Sequence, residues 1–247
     1  LTSPPSLDRS AHLRRATWRA LLALGALVAV VVAVPLALVV APLVGLLVGL
    51  VLGGLVVWRL WRDAEDAVLV PLQARPADPR TEARLHNLVD ALSLAAGVPA
   101  PRLLVVDSPT GNALAVGRGP REGVVVVTSG LLSSLERIEL EAVLAHELSH
   151  IRAGDTCPGT IAARLRGVPL VGRALAATLV DPQREPLADH AGVALTRFPP
   201  GLVAALGKLT DPAPPGPPSL QHLWIATPTQ PTDPSDITAR IEALQEL

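Results

Sequence analysis

The chain has one cysteine, Cys157, in 247 residues. An internal disulfide framework and a Cys-rich zinc module are therefore excluded, and any bound metal must sit on histidine and carboxylate. Aromatics are scarce, four Trp and one Phe with no Tyr. Methionine is absent even at position 1, so the start of the natural chain is not read from this sequence. An excess of either charge is also lacking. Twenty-one basic residues face 22 acidic ones, for a formal net charge of −1, which leaves no cationic field to hold nucleic acid and excludes it as a partner. Apolar residues are abundant at 49%, enough for a core in one or two domains.

Asp, Glu, Lys, Arg and His are all missing from the 37 residues 21–57. A bilayer's hydrocarbon core is about 30 Å thick and needs roughly 20 apolar helical residues, so this stretch reads as membrane-embedded. The apolar region of a signal peptide is only about 7–15 residues long. As one helix the run would be roughly 55 Å long, too long for a single span. Two short spans fit better, residues 21–37 and 43–60, with Pro35, Pro42 and Gly45 supplying the break. Arg9, Arg14, Arg15 and Arg19 precede the run and Arg59 and Arg62 follow it, which places both flanks in the cytoplasm. Trp18, Trp58 and Trp61 mark its two ends, where indole favours the headgroup layer.

Beyond residue 62 the patterning is that of a mixed globular body. Leu85, Leu88, Val89 and Leu92 follow the helical repeat within residues 80–96, and Gly97-Val98-Pro99 ends that helix. Residues 102–107 and 124–128 are β-branched runs bounded by Pro and Gly, with 113–117 a further strand between them in sequence. Residues 135–153 form a second strong helix ended by Gly154, the proline-rich stretch 211–236 reads as a linker, and 237–247 as a last helix. The expected class is α+β: a cytoplasmic segment (1–20), a transmembrane helical hairpin (21–60), then a mainly helical domain (63–210) with a small β-sheet, completed by the last helix.

Within the second helix the chain reads His146-Glu147-Leu148-Ser149-His150. This puts two imidazoles four apart on one helical face, where both can bind one zinc ion, and a carboxylate beside the first that can act as general base. Two histidines leave a tetrahedral site one protein ligand short. Glu185, in Arg184-Glu185-Pro186-Leu187-Ala188-Asp189, is the best third ligand, and Asp189, one turn on, would accept the other ring N–H of a ligand histidine. His190 is a rival ligand, and Cys157 reads as a buried or surface thiol.

These motifs resemble the HtpX-like membrane zinc endopeptidases, which are related to the prenyl-protein endoproteases. The likeness extends from the hairpin through Gly97-Val98-Pro99, Gly111-Asn112-Ala113, residues 124–132, residues 139–150, Gly154-Asp155 and Arg184-Glu185 with Ala188-Asp189. The resemblance implies a gluzincin-type domain with one Zn2+ per chain on His146, His150 and Glu185, with Glu147 catalytic and Asn112 lining the substrate cleft. An extended peptide would then add as a strand beside the sheet edge near Asn112; Asn112 also reads as a Gly-Asn turn residue. The implied partners are a protein or peptide substrate and the lipid bilayer of a bacterial inner membrane. The oligomeric state is not read.

The chain departs from the family pattern at three places. Family members often carry a second membrane hairpin before the third ligand, but here residues 151–184 include Arg164, Arg166 and Arg173 and cannot span. Their apolar residues are left to lie on the membrane surface or to pack on the domain. Pro186 requires Glu185 to lie in a first helical turn. Thr232-Asp233-Pro234 replaces an expected His-Pro, which leaves His222 and Arg184 as unranked candidates for oxyanion stabilisation. The reading is a zinc metalloendopeptidase that hydrolyses unfolded or membrane proteins; the alternative, which Asp233 favours and Glu147 opposes, is a catalytically silent zinc-bearing adaptor for extended peptides.

Overall fold

The computed structural model describes residues 5–209, 214–227 and 236–247. Asp233 and parts of the proline-rich linker, residues 211–213 and 228–235, lie outside them. Two long helices come first, α1 (Pro5–Val39) and α2 (Pro42–Arg62), and both are long and apolar enough to cross a membrane. The break falls at Val40-Ala41, where Pro42 opens α2 at a position that needs no backbone donor. Pro35 does not contribute to the break. It lies inside α1, which continues past it for another turn.

The two helices approach almost backbone to backbone. A Cβ on Gly45, Gly49 or Gly53 would lie 2.4–2.5 Å from a carbonyl oxygen of Ala33, Ala29 or Gly25. This row of small residues at fourfold spacing is the arrangement that lets apolar helices associate where burial from water gives no driving force. At the flanking end Trp18 stacks on Trp61, with centroids 4.7 Å apart, and the Arg62 guanidinium lies 4.9 Å from the centre of the Trp58 ring.

A short helix α3 (Asp66–Leu72) leads to a four-stranded sheet of β1 (Arg75–Pro76), β2 (Arg102–Val106), β3 (Ala113–Val116) and β4 (Val124–Thr128), in the order β1-β2-β4-β3. β2 and β4 run parallel, and β1 and β3 pair antiparallel on the outside. Between β1 and β2 lies α4 (Ala83–Ala96), ended by Gly97. Both faces of the sheet are covered, which explains why Val124-Val125-Val126-Val127 is apolar without alternation. Val125 and Val127 face one core with Leu144 and Leu148, whereas Val124 and Val126 face another with Val68, Leu72 and Trp224.

After β4 come α5 (Ser129–Ser134) and α6 (Arg137–Ala153), which opens on a capping box between Glu136 and Glu139 and ends at Gly154 in the left-handed region (φ 72°). α7 (Thr156–Leu165) and α8 (Gly172–Ala177) follow, then α9 (Arg184–Thr196), α10 (Pro199–Lys208), a 3-10 turn (Pro218–Leu223) and α11 (Ile237–Gln245). The α7–α8 segment packs on the domain. Ile161, Leu165 and Ala176 are buried with Leu21, Leu24 and Leu60 at the base of the hairpin.

Candidate active site

α6 runs through the protein interior, so His146, Glu147 and His150 are all buried, at 0–1% exposure. α9 crosses it closely because residue 192 is glycine: a Cβ there would lie 2.9 Å from the His146 backbone nitrogen. Glu185 falls in the first turn of α9 and Pro186 follows it there, where the missing proline N–H costs nothing. The imidazole Nε2 atoms of His146 and His150 face each other at 3.1 Å, and Glu185 Oε2 and Oε1 lie 3.2 and 3.5 Å from them respectively.

Each ring is oriented from behind. His146 Nδ1 donates to Asp189 Oδ1 at 2.8 Å, and His150 Nδ1 donates to Asp155 at 3.0 Å. With both Nδ1 atoms protonated, the two Nε2 lone pairs point at one another, an arrangement that requires positive charge between them. Protons are one source of that charge: burial lowers the His146 pKa, but the bond to Asp189 and the nearby Glu185 carboxylate outweigh burial and raise it to about 9. A metal ion is another, because the donor atoms of His146, His150 and Glu185 all lie within 4.8 Å of one another. A divalent cation there would displace the protons and satisfy both Glu185 oxygens, which have no hydrogen-bond partner among the described residues. The residues present therefore fit a metal ion.

Glu147 is buried beside this point with both carboxylate oxygens unpartnered among the described residues, and burial raises its pKa against the pull of His146 and His150. Arg184, first residue of α9, lies 3.2 Å from Glu185 Oε1 and 3.7 Å from Asp155, and donates to the His222 carbonyl at 2.9 Å. Its Nε and Nη2 make no hydrogen bond among the described residues. The His222 imidazole is used elsewhere. Its Nε2 donates to the Gly159 carbonyl at 3.0 Å, and burial, with Arg166 nearby, lowers its pKa to about 3.

His190, the rival ligand, is exposed on the outer side of α9 and bonds the Pro186 carbonyl. Cys157 is buried in α7, outside the ligand cluster, and burial pushes its thiol up to about 11. Asn112 requires a correction. It is fully buried, its Nδ2 donates to the Ala226 carbonyl at 2.6 Å, and its Oδ1 accepts from Ala113 and Ala226 backbone N–H groups. It therefore ties β3 to the chain after the 3-10 turn and does not line a cleft. The sheet edge beside it is also taken, by a bridge between Leu114 and Trp224 and a bond from Ile225 N–H to the Ala113 carbonyl.

Sequence reasoning missed two residues. Asp155 holds His150, and Arg240 of α11 forks onto Asp189 with both contacts at 2.7 Å. The first had a local signal, an acid just past a glycine helix end. The second had none, because Arg240 lies 51 residues from its partner.

A buried cluster that fits a metal ion, between two crossed helices and beside a small mixed sheet, in a chain that also carries two membrane-type helices, fits a membrane protease. Comparison with known proteins agrees. Peptidase family M48 matches residues 79–184. The protease HtpX homolog of Dictyoglomus thermophilum is 33% identical over 233 residues, covering 80% of this chain and 77% of the relative. That of Streptococcus thermophilus is 32% identical over 253 residues, covering 84% and 85%, and that of Pyrococcus furiosus 33% over 210 residues, covering 69% and 73%. The chain belongs to the HtpX-like proteases of peptidase family M48.

Proposed function

We propose that the protein is a zinc-dependent endopeptidase, anchored in a bacterial inner membrane by α1 and α2, whose cytoplasmic domain hydrolyses unfolded or membrane proteins. The observation that carries this reading is the convergence of His146, His150 and Glu185 on one point beside the unpartnered carboxylate of Glu147. Two neutral imidazoles and a carboxylate are a donor set that suits one zinc ion and leaves a position open. When bound, the ion supplies Lewis acidity to the scissile carbonyl and to water beside it.

The proton transfers fall to the chain itself. Glu147 takes a proton from the attacking water and returns it to the amide nitrogen as the C–N bond breaks. Its raised pKa suits a group that must first accept and then donate. Asp189 and Asp155 keep the ligand imidazoles in one tautomer and orientation. Arg184, with two donors unused among the described residues, is the better candidate for the developing oxyanion, since the His222 ring is committed to Gly159. Burial of the whole set means that a peptide enters only after an opening motion.

The test is casein cleavage by the detergent-purified protein and by Glu147→Gln. The variant should keep its zinc and lose hydrolysis by about 10²–10⁴-fold, and a chelator should abolish the parent's activity until zinc is restored. Equal activity of the two, with zinc and peptide binding retained in both, would establish the silent adaptor instead.

A further inference from the structure

Residues 156–180 contain no Asp or Glu but three arginines, Arg164, Arg166 and Arg173, in a chain whose net charge is −1. The turn between α7 and α8 is apolar at its tip, Val168-Pro169-Leu170-Val171. Leu170 is fully exposed, at 103% of its reference area, and has a left-handed backbone (φ 66°), a conformation unfavourable for an L side chain. Its neighbours are anchored. Val168 and Val171 pack against the cluster that contains Leu21, Leu24 and Leu60 of the hairpin. Leu24, and Val57 packed on the same cluster, belong to the apolar run itself, about one to two turns further into it than Trp18 and Trp61. The tip therefore adjoins the base of the hairpin, near where the hairpin enters its apolar run. Arg166 and Arg173 line a pocket of about 370 Å3 together with the loop residues 167–170.

We propose that residues 167–172 form a membrane-dipping loop, in which Leu170 enters the acyl boundary of the leaflet around the hairpin base while Arg166 and Arg173 hold the phosphates of anionic phospholipids. The inference rests on reading α1 and α2 as membrane spans. Three features select lipid as the occupant: the loop is continuous with the hairpin base, a leucine is held outward on a strained turn, and two arginine forks suited to phosphate flank it in a segment that carries no acid. The loop gives the domain a third point of attachment, and α9, which starts with Arg184 and Glu185, follows α8. Loop depth thereby fixes the distance of the site from the bilayer surface.

The test uses the full chain carrying Cys157→Ser, reconstituted in vesicles of phosphatidylglycerol and phosphatidylcholine, with a nitroxide label placed in turn at Leu170→Cys, Leu50→Cys and Leu94→Cys. Leu50 is exposed on α2 and Leu94 on α4, so they report the bilayer and the aqueous phase. The label at 170 should collide with dissolved oxygen more than with an aqueous nickel chelate, as at 50 and opposite to 94. Protection at 170 should fall several-fold in phosphatidylcholine alone, and likewise on Arg166→Gln with Arg173→Gln in the mixed vesicles. A label at 170 that behaves like 94 while 50 is protected overturns the loop and leaves the spans standing. A label at 50 that behaves like 94 overturns the spans and the loop with them. Equal protection at 170 in the two lipid compositions overturns the phosphate contacts.

Discussion

Arg240 grips both oxygens of Asp189, at 2.7 Å each, while Asp189 Oδ1 accepts from His146 Nδ1 at 2.8 Å. The last helix thus reaches the metal-type cluster through Asp189, and directly through Arg240 Nη1, 3.5 Å from Glu185 Oε2. Arg240 also opposes the burial of Asp189 and holds its pKa at about 2, so the carboxylate stays ionised against His146. Arg240→Lys keeps a charge but loses the fork. Zinc affinity should fall by about 10–100-fold, the usual effect of removing a group that orients a ligand. Competition with a chromogenic chelator measures it, and an unchanged affinity would show that His146 is held without α11.

Glu185 and His190 offer a clean contrast on one helix, because the first is buried at the cluster and the second faces outward. Glu185→Ala should lower metal content sharply, whereas His190→Ala and Cys157→Ser should leave it at the parent's level. Metal analysis of the three purified variants decides it, and full occupancy in Glu185→Ala would remove Glu185 from the ligand set.

Gly192 sets the spacing between α6 and α9. With Gly192→Ala the new methyl would meet the His146 backbone at 2.9–3.0 Å, and neither helix backbone can yield cheaply. Overpacking of this kind costs about 1–3 kcal/mol. The expected result is a lower melting temperature together with weaker zinc binding, since the displaced helices carry the proposed ligands. A variant with parental values of both would mean that the helices separate without disturbing the site.

A pH-dependent contribution to stability is expected at the start of α6. Glu139 accepts from Lys208 Nζ and from the Glu136 backbone N–H, each at 2.7 Å. Burial raises its pKa, yet these two contacts outweigh burial and leave it lowered. A lowered folded-state pKa adds stability that is complete above the unfolded value, near 4.5, and is lost as pH falls through the lower folded value. Lys208→Met should therefore lower the melting temperature at pH 7 and have little effect well below pH 4. The Lys208 side chain is partly solvated, so the difference should be under about 1 kcal/mol and shrink with added salt. A pH-independent difference would refute the assignment.

The elements with strong local signals are legible in the sequence. Strand 124–128 can be read to the residue, and α6 to within two residues, because its end is a glycine and its interior is rich in apolar residues. The His146–Glu147–His150 triplet is readable since helical spacing alone puts both rings on one face. Features set by tertiary packing are not. Pro35 has the look of a breaker, yet α1 continues through it against the glycine row of α2. β1 is two residues long, too short to leave a pattern. Asn112 reads as a turn or a cleft residue because nothing nearby in sequence announces that Ala226 will complete its hydrogen bonds. Arg240 looks like one more charge on a short terminal helix.

The long separation between Arg240 and Asp189 also has a meaning in time. Chains emerge from the ribosome at about 5–20 residues per second, so the 51 positions between the two take roughly 3–10 s to add. For that interval α6 and α9 can cross while His146 is oriented by an acid that has yet to meet Arg240. A site built this way gains its Arg240 contact only after His146, His150 and Glu185 have all been made and can already have met.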